Sequence, residues 1–232
     1  MYGYYGIDYT YIIFILPAII ISLVAQMKVS STFGKYNKVL NSRNMTGAQV
    51  ARRILDENGL SSVVVEYVSG NLSDHYDPTS RTLRLSDSVY SSSSVASLGV
   101  AAHECGHAIQ HATGYVPLKA RHGVYPVVRF SSVASTPLII LGLIVNTPAL
   151  LYLGIILFSA VVAFQLITLP VEFNASKRAL AILKDNNFLD YDEVRGARKV
   201  LTAAAMTYVA SALMSIMQIL RLLVLANNRR NR

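Results

Sequence analysis

His103-Glu104-Cys105-Gly106-His107 is the stretch from which the rest of this chain can be read. Its histidines are four residues apart, so on an α-helix both imidazoles stand on one face, one turn apart. Two such rings can grip a single Zn²⁺ at about 2.0–2.1 Å. Glu104 is turned too far round the helix to chelate the same ion with both histidines. It is well placed to take a proton from an activated water. A helix that merely keeps two histidines in its core or on its surface would show the same five letters. The flanks favour the metal-binding reading. Ser91 to Ser94 supply N-cap candidates. Val95, Ala96, Leu98, Val100, Ala101 and Ala102 build an apolar approach, and Gly114 stands at a C′ stop. The spacing predicts a helix over residues 92–113.

His111 falls four residues after His107, which puts it about 12 Å along the axis from His103. Ligands of one zinc all lie within about 2.1 Å of it, so His111 cannot complete the set on a straight helix. A histidine six residues after His107 would suit another zincin pattern, but that position is Thr113. The third ligand comes from elsewhere in the chain.

Hydrophobic residues make up 53% of the 232 and charged residues 15%, against about 25% charged in ordinary soluble domains. That composition implies a membrane protein. The net charge of +8 is spread over loops and tail. It forms no stripe alternating with aromatics, which excludes nucleic acid as the expected partner and leaves anionic membrane lipids. Cys105 is the sole cysteine, so there is no internal disulfide and no C-x-x-C zinc ribbon. Lying off the histidine face, Cys105 reads as a packed thiol.

The chain divides into five stretches. Residues 1–27 are an N-terminal membrane anchor, with an apolar run at 11–25 flanked by tyrosines and no basic segment before it. The next basic residues, Lys28, Lys35, Lys38, Arg43, Arg52 and Arg53, all follow that run, so the positive-inside rule places the following part in the cytoplasm. Residues 28–129 are the catalytic part. In it Thr46 caps a helix that Gly59 ends, residues 62–68 form a strand, residues 74–80 are turn-rich, and residues 82–86 alternate as a strand. Residues 82–86 have two readings: a sheet edge that holds an extended peptide, or a plain hairpin strand. Residues 130–169 form a transmembrane helical hairpin broken at Asn146-Thr147-Pro148. It returns the chain to the side it left.

Residues 170–199 then start a new helix at Pro170. Glu172 falls in its first turn, on the same side as His103 and His107. Two roles are open to it: third ligand, or partner of the helix dipole. Residues 200–232 hold an apolar helix at 201–226, with Arg221 inside it, and a basic tail. A fourth crossing would put that tail outside, against the charge bias. The alternative is a helix that packs on the catalytic part without crossing. The fold class expected is mainly α: a multi-span membrane protein with a cytoplasmic α+β zincin-like domain, a small sheet plus the motif helix.

Taken together, the N-terminal anchor, "DHYDPTSRTLRLS" (residues 74–86), "VAAHECGHAIQHATGY" (residues 100–115), the hairpin and "LPVEFNASKRAL" (residues 169–180) carry a likeness. The chain resembles the YugP-like bacterial membrane zinc metallopeptidases, of the neutral zinc metallopeptidase type, which look like relatives of the HtpX-type gluzincins. The resemblance covers most of the chain. It implies one zinc held by His103, His107 and Glu172, with Glu104 as general base. In the HtpX-like pattern an aspartate four residues after the third ligand orients the first histidine; here Ser176 stands there. Such sites also steady the oxyanion with a His, Tyr or Arg. His122, in a basic loop with Arg121 and Tyr125 nearby, is the candidate. The function implied is hydrolysis of proteins or peptides, membrane proteins among them, at the cytoplasmic face of a bacterial inner membrane. Two rivals stand beside it: a site-2-type intramembrane protease, with the motif inside the bilayer, and a membrane scaffold whose zinc is structural or absent. The sequence sets no oligomeric state.

Overall fold

A computed structural model describes residues 9–230. The Tyr- and Gly-rich stretch before Tyr9, and the last two residues of the basic tail, lie outside the described residues. The elements run as a π-helical turn (Tyr11–Ile15) into α1 (Leu16–Tyr36), then α2 (Gly47–Glu57), β1 (Val64–Tyr67), β2 (His75–Asp77), β3 (Thr82–Leu85), α3 (Asp87–Tyr90), α4 (Val95–Ala112), α5 (Val116–Ile144), α6 (Pro148–Asp185) and α7 (Tyr191–Arg230). The protein is mainly helical. Four helices, Tyr11–Tyr36, Val116–Ile144, Pro148–Asp185 and Tyr191–Asn228, are long and apolar enough to cross a membrane.

The chain forms two compact units. The first comprises Met1–Gln26, Ala120–Thr168 and Thr207–Arg232. Its contacts are those of close-packed helices. A Cβ on Gly154 would come 2.6 Å from Ile139 Cγ1, and one on Gly142 would come 2.7 Å from the Leu151 nitrogen. Small residues there let α5 and α6 approach, as helices in lipid do. Leu151, Ile155, Leu222 and Ala226 are buried among them, and the Arg221 guanidinium lies over the Tyr11 ring. Because α7 from Thr207 onward belongs to this unit, it does not follow the alternative of a helix laid on the catalytic part.

The second unit comprises Met27–Lys119 and Leu169–Met206. Its core gathers Val50, Ile54 and Leu55 of α2, Leu83 and Leu85 of β3, and Leu98 and Cys105 of α4. Leu183 of α6 and Leu201 of α7 join them. Burying each such leucine stabilises by about 1.5–3 kcal/mol. The caps follow from local chemistry. Thr46 and Gln49 form a reciprocal capping box on α2, and Gly59 follows at φ +72°. Ser94 caps α4 by accepting the Ser97 N–H, and Gly114 at φ +65° ends it. The helix expected over residues 92–113 is therefore present, trimmed at both ends.

Three expectations are corrected. The sheet order is β1-β3-β2, with β1 parallel and β2 antiparallel to β3. Residues 82–85 are thus the central strand, paired on both sides, and offer no free edge to a peptide. The turn-rich stretch at 74–80 contains a strand, β2. Only its end turns, where the Ser80 hydroxyl and the Thr79 N–H hold the Asp77 carboxyl down at about 2. Pro170 does not start a helix: it lies inside α6, which runs unbroken through it. The helix survives the proline because Val171, Ala175, Ala179 and Leu183, spaced four apart, are all fully buried. Glu172 is therefore far from any helix N-terminus, which removes the dipole role.

Candidate metal centre

The site is built from α4 and α6 within the second unit. His103 and His107 project from one face of α4, their rings edge-to-face at 4.7 Å between centroids. Their Nε2 atoms are 3.1 Å apart. Glu172 Oε2 lies 3.3 Å from His103 Nε2 and 3.6 Å from His107 Nε2. Glu172 is 2% exposed. A tetrahedral ion with bonds of about 2.0–2.1 Å separates its donors by about 3.3 Å, so two imidazoles and a carboxylate at these spacings fit zinc. Among the described residues this trio is the group that could hold a metal ion.

α4 reaches α6 this closely because Gly106 has no side chain. A Cβ there would sit 2.7 Å from the Ala175 carbonyl oxygen and 3.1 Å from Ala175 Cα. Cys105 points the other way, into the core, its thiol donating to the Ala51 carbonyl at 3.6 Å. Burial, then the Glu104 charge, push that thiol up, so it stays protonated.

Each ring nitrogen facing away from Glu172 is also partnered. Ser176 Oγ lies 3.1 Å from His103 Nδ1. Gln110, fully buried, sets its Oε1 3.1 Å from His107 Nδ1. Here the hydrogen-bond inventory fixes the tautomer. Arg178 Nε, a donor only, donates to Asn174 Oδ1 at 2.8 Å. Gln110 Nε2 donates to that same Oδ1 at 3.0 Å and to the Val171 carbonyl at 2.8 Å. Reversing the Gln110 amide would set its oxygen against two acceptors. Its oxygen therefore faces His107, Nδ1 carries the hydrogen, and Nε2 turns a lone pair toward Glu172, the state a metal ligand needs. Burial opposes a charged His107, but a ring protonated on Nε2 as well would donate to Glu172, and that bond, with the Glu104 and Glu172 charges, outweighs burial and raises the ring's pKa.

Glu104, 8% exposed, accepts the Tyr76 backbone N–H on Oε2 at 3.0 Å. β2, not β3, is thus the strand tied to the motif. The Tyr76 hydroxyl meets His111 Nδ1 at 2.9 Å, which gives His111 a contact of its own apart from the trio. The structure brings His103, Glu104, His107, Glu172 and Ser176 into one unit. His122 stands on α5 in the first unit, on a helix and not in the basic loop expected. Reading the sequence missed Gln110, Asn174, Arg178 and Gly106. The spacing held a signal for the first three: Gln110 is three residues after His107, and Asn174 and Arg178 repeat the four-residue interval of Glu172 and Ser176.

The family model described as "putative neutral zinc metallopeptidase" matches residues 11–227. A curated relative from Bacillus subtilis (strain 168), "Putative membrane protease YugP", is 50% identical over 221 residues, covering 95% of this chain and 98% of the relative. No solved structure matches the chain.

Proposed function

Since the chain belongs to the neutral zinc metallopeptidase family, we propose that it is a membrane-bound, zinc-dependent endopeptidase that hydrolyses proteins or peptides. The observation that carries this reading is the convergence of His103 Nε2, His107 Nε2 and Glu172 Oε2 from two different helices, α4 and α6. These three would hold one Zn²⁺, and Ser176 and Gln110 would orient the two rings. When bound, zinc supplies Lewis acidity to a carbonyl and lowers the pKa of water from about 15.7 to about 7.

Glu104 supplies the proton handling. Its Oε2 is fixed by the Tyr76 N–H, which holds the carboxylate in one orientation and leaves Oε1 to accept the proton of the attacking water. The same carboxyl then returns that proton to the leaving amine. The positive-inside bias supports a catalytic unit on the cytoplasmic side of a bacterial inner membrane.

The trio offers three protein donors, as catalytic zinc sites do, whereas structural sites close with four. That favours an enzyme over a scaffold. α4 is not one of the four helices long and apolar enough to cross a membrane, which favours cleavage at the membrane face over cleavage inside it. The test is Glu104→Gln in the purified full-length protein. Zinc content should stay at that of the parent while peptide hydrolysis disappears. Hydrolysis persisting in the zinc-loaded variant would overturn the proposal.

A further inference from the structure

We infer that the second unit carries a binding site for the phosphate of an anionic phospholipid headgroup, in a basic cavity between α1 and α7. The cavity has a volume of about 590 Å³. Lys28 and Lys35 line it from α1, Arg198 and Lys199 from α7, and Ser31 and Thr202 line it as well. On α1 the interval 28, 31, 35 keeps all three side chains on one helix face, and on α7 the interval 198, 202 does the same. No carboxylate lines the cavity, and among the described residues none of its four cations is in an ion pair.

The acids at the start of α7 are committed elsewhere. Glu193 accepts the Ser42 N–H at 2.6 Å and the Asp190 N–H at 2.9 Å, and Asp192 pairs with Arg195 at 3.4 Å. Four like charges with no internal counter-ion favour an anion from outside. The walls are also fixed in place. A Cβ on Gly196 would sit 2.7 Å from Tyr36 Cε1, so α1 and α7 are in direct contact at one end of the cavity.

Position along the helices argues for a lipid. Lys28 follows directly on the apolar part of α1, where Leu23, Val24 and Met27 are exposed. Across the cavity Met206, another lining residue, is exposed where α7 enters its apolar part. Cations and hydroxyls at the point where two apolar helices leave the bilayer suit a phosphodiester whose acyl chains lie along those exposed faces. The inference rests on α1 and α7 crossing the membrane and not on the hydrolase reading, so its failure would leave that reading intact.

The test uses the full-length protein in neutral detergent, with binding of phosphatidylglycerol, phosphatidylcholine and inorganic phosphate measured by native mass spectrometry and by competition. Phosphatidylglycerol should bind saturably and phosphatidylcholine should not. K28Q/K199Q should weaken phosphatidylglycerol at least about tenfold, and K28R/K199R should restore it. R43Q/K184Q, which removes the same charge outside the cavity, should bind like the parent and so separates the site from net charge. Equal binding of the two lipids, or equal loss in K28Q/K199Q and R43Q/K184Q, would overturn the site. Inorganic phosphate displacing phosphatidylglycerol at comparable concentration would overturn the lipid source and identify a soluble phosphate ligand.

Discussion

At His107 the position of one hydrogen is decided three side chains away. Arg178 can only donate, so Asn174 must accept; Gln110 then donates to Asn174 and accepts from the ring. Removing Gln110 frees the ring to rotate and to adopt the wrong tautomer. Gln110→Leu should lower zinc affinity about 10–100-fold, and Gln110→Glu, which keeps an acceptor on Nδ1 but sets its second oxygen against the Val171 carbonyl and Asn174 Oδ1, should recover little of it. Chelator competition measures both, and an unchanged affinity in Gln110→Leu would show that the network does not orient the ligand. His107 also predicts a pH effect in zinc-free protein. A raised pKa means that its contact with Glu172 stabilises the fold fully below about pH 6.5. That contribution is lost as pH rises through the raised value. Thermal unfolding of zinc-free parent and His107→Gln should therefore differ more in mild acid than in alkali, with the parent the more stable.

Between elements, the decisive contact is α4 against α6. Gly106 meets Ala175 backbone, which cannot yield as a flexible side chain would. Gly106→Ala should push the helices apart, cost about 1–3 kcal/mol of stability and reduce bound zinc. Gly99→Ala on the same helix meets Ala197 Cβ at 3.4 Å, so it should keep zinc near the parent level. Zinc analysis and thermal unfolding of the pair separate close approach from a general effect of alanine in α4. The sequence announced these elements unevenly. Caps at Thr46 and Ser94 and stops at Gly59 and Gly114 are local chemistry and were legible. The start of α7 was not: the helix expected at residues 201–226 begins already at Tyr191, where Asp190 and Glu193 cap it reciprocally, and the polar run around them masked that signal. β2 was hidden because its three residues sit in a stretch rich in turn formers and become a strand only through pairing with β3. The continuation of α6 through Pro170 was hidden because burial of the next turns, not local propensity, holds it.

For the molecule as a whole, the proposed topology, in which all four long apolar helices cross the membrane, sets a definite arrangement of ends. With the catalytic unit in the cytoplasm, an even number of crossings returns the C-terminus to the side of the N-terminus, outside. An alkaline phosphatase fused after the last residue should be active in cells, and one fused within the loop after Gly59 should be inactive. Activity at the second and not the first would invert the orientation. In that topology the basic tail would be an exception to the charge bias, one that packing of α7 with the other apolar helices in the first unit could sustain.

The sequence by itself determined the motif helix, the pair of imidazoles on one of its faces, the apolar lengths that make four membrane-crossing candidates, and the return of Glu172 to the side of the histidines. Each follows from periodicity or from covalent order, which are local. Tertiary structure decided which oxygen and nitrogen atoms converge, which tautomer His107 holds, which strand faces Glu104, and that Glu172 sits mid-helix. Those outcomes depend on two helices packing at a glycine and on hydrogen bonds between residues more than sixty apart in sequence. No local pattern encodes such contacts, because distant side chains meet only once the core has closed around them.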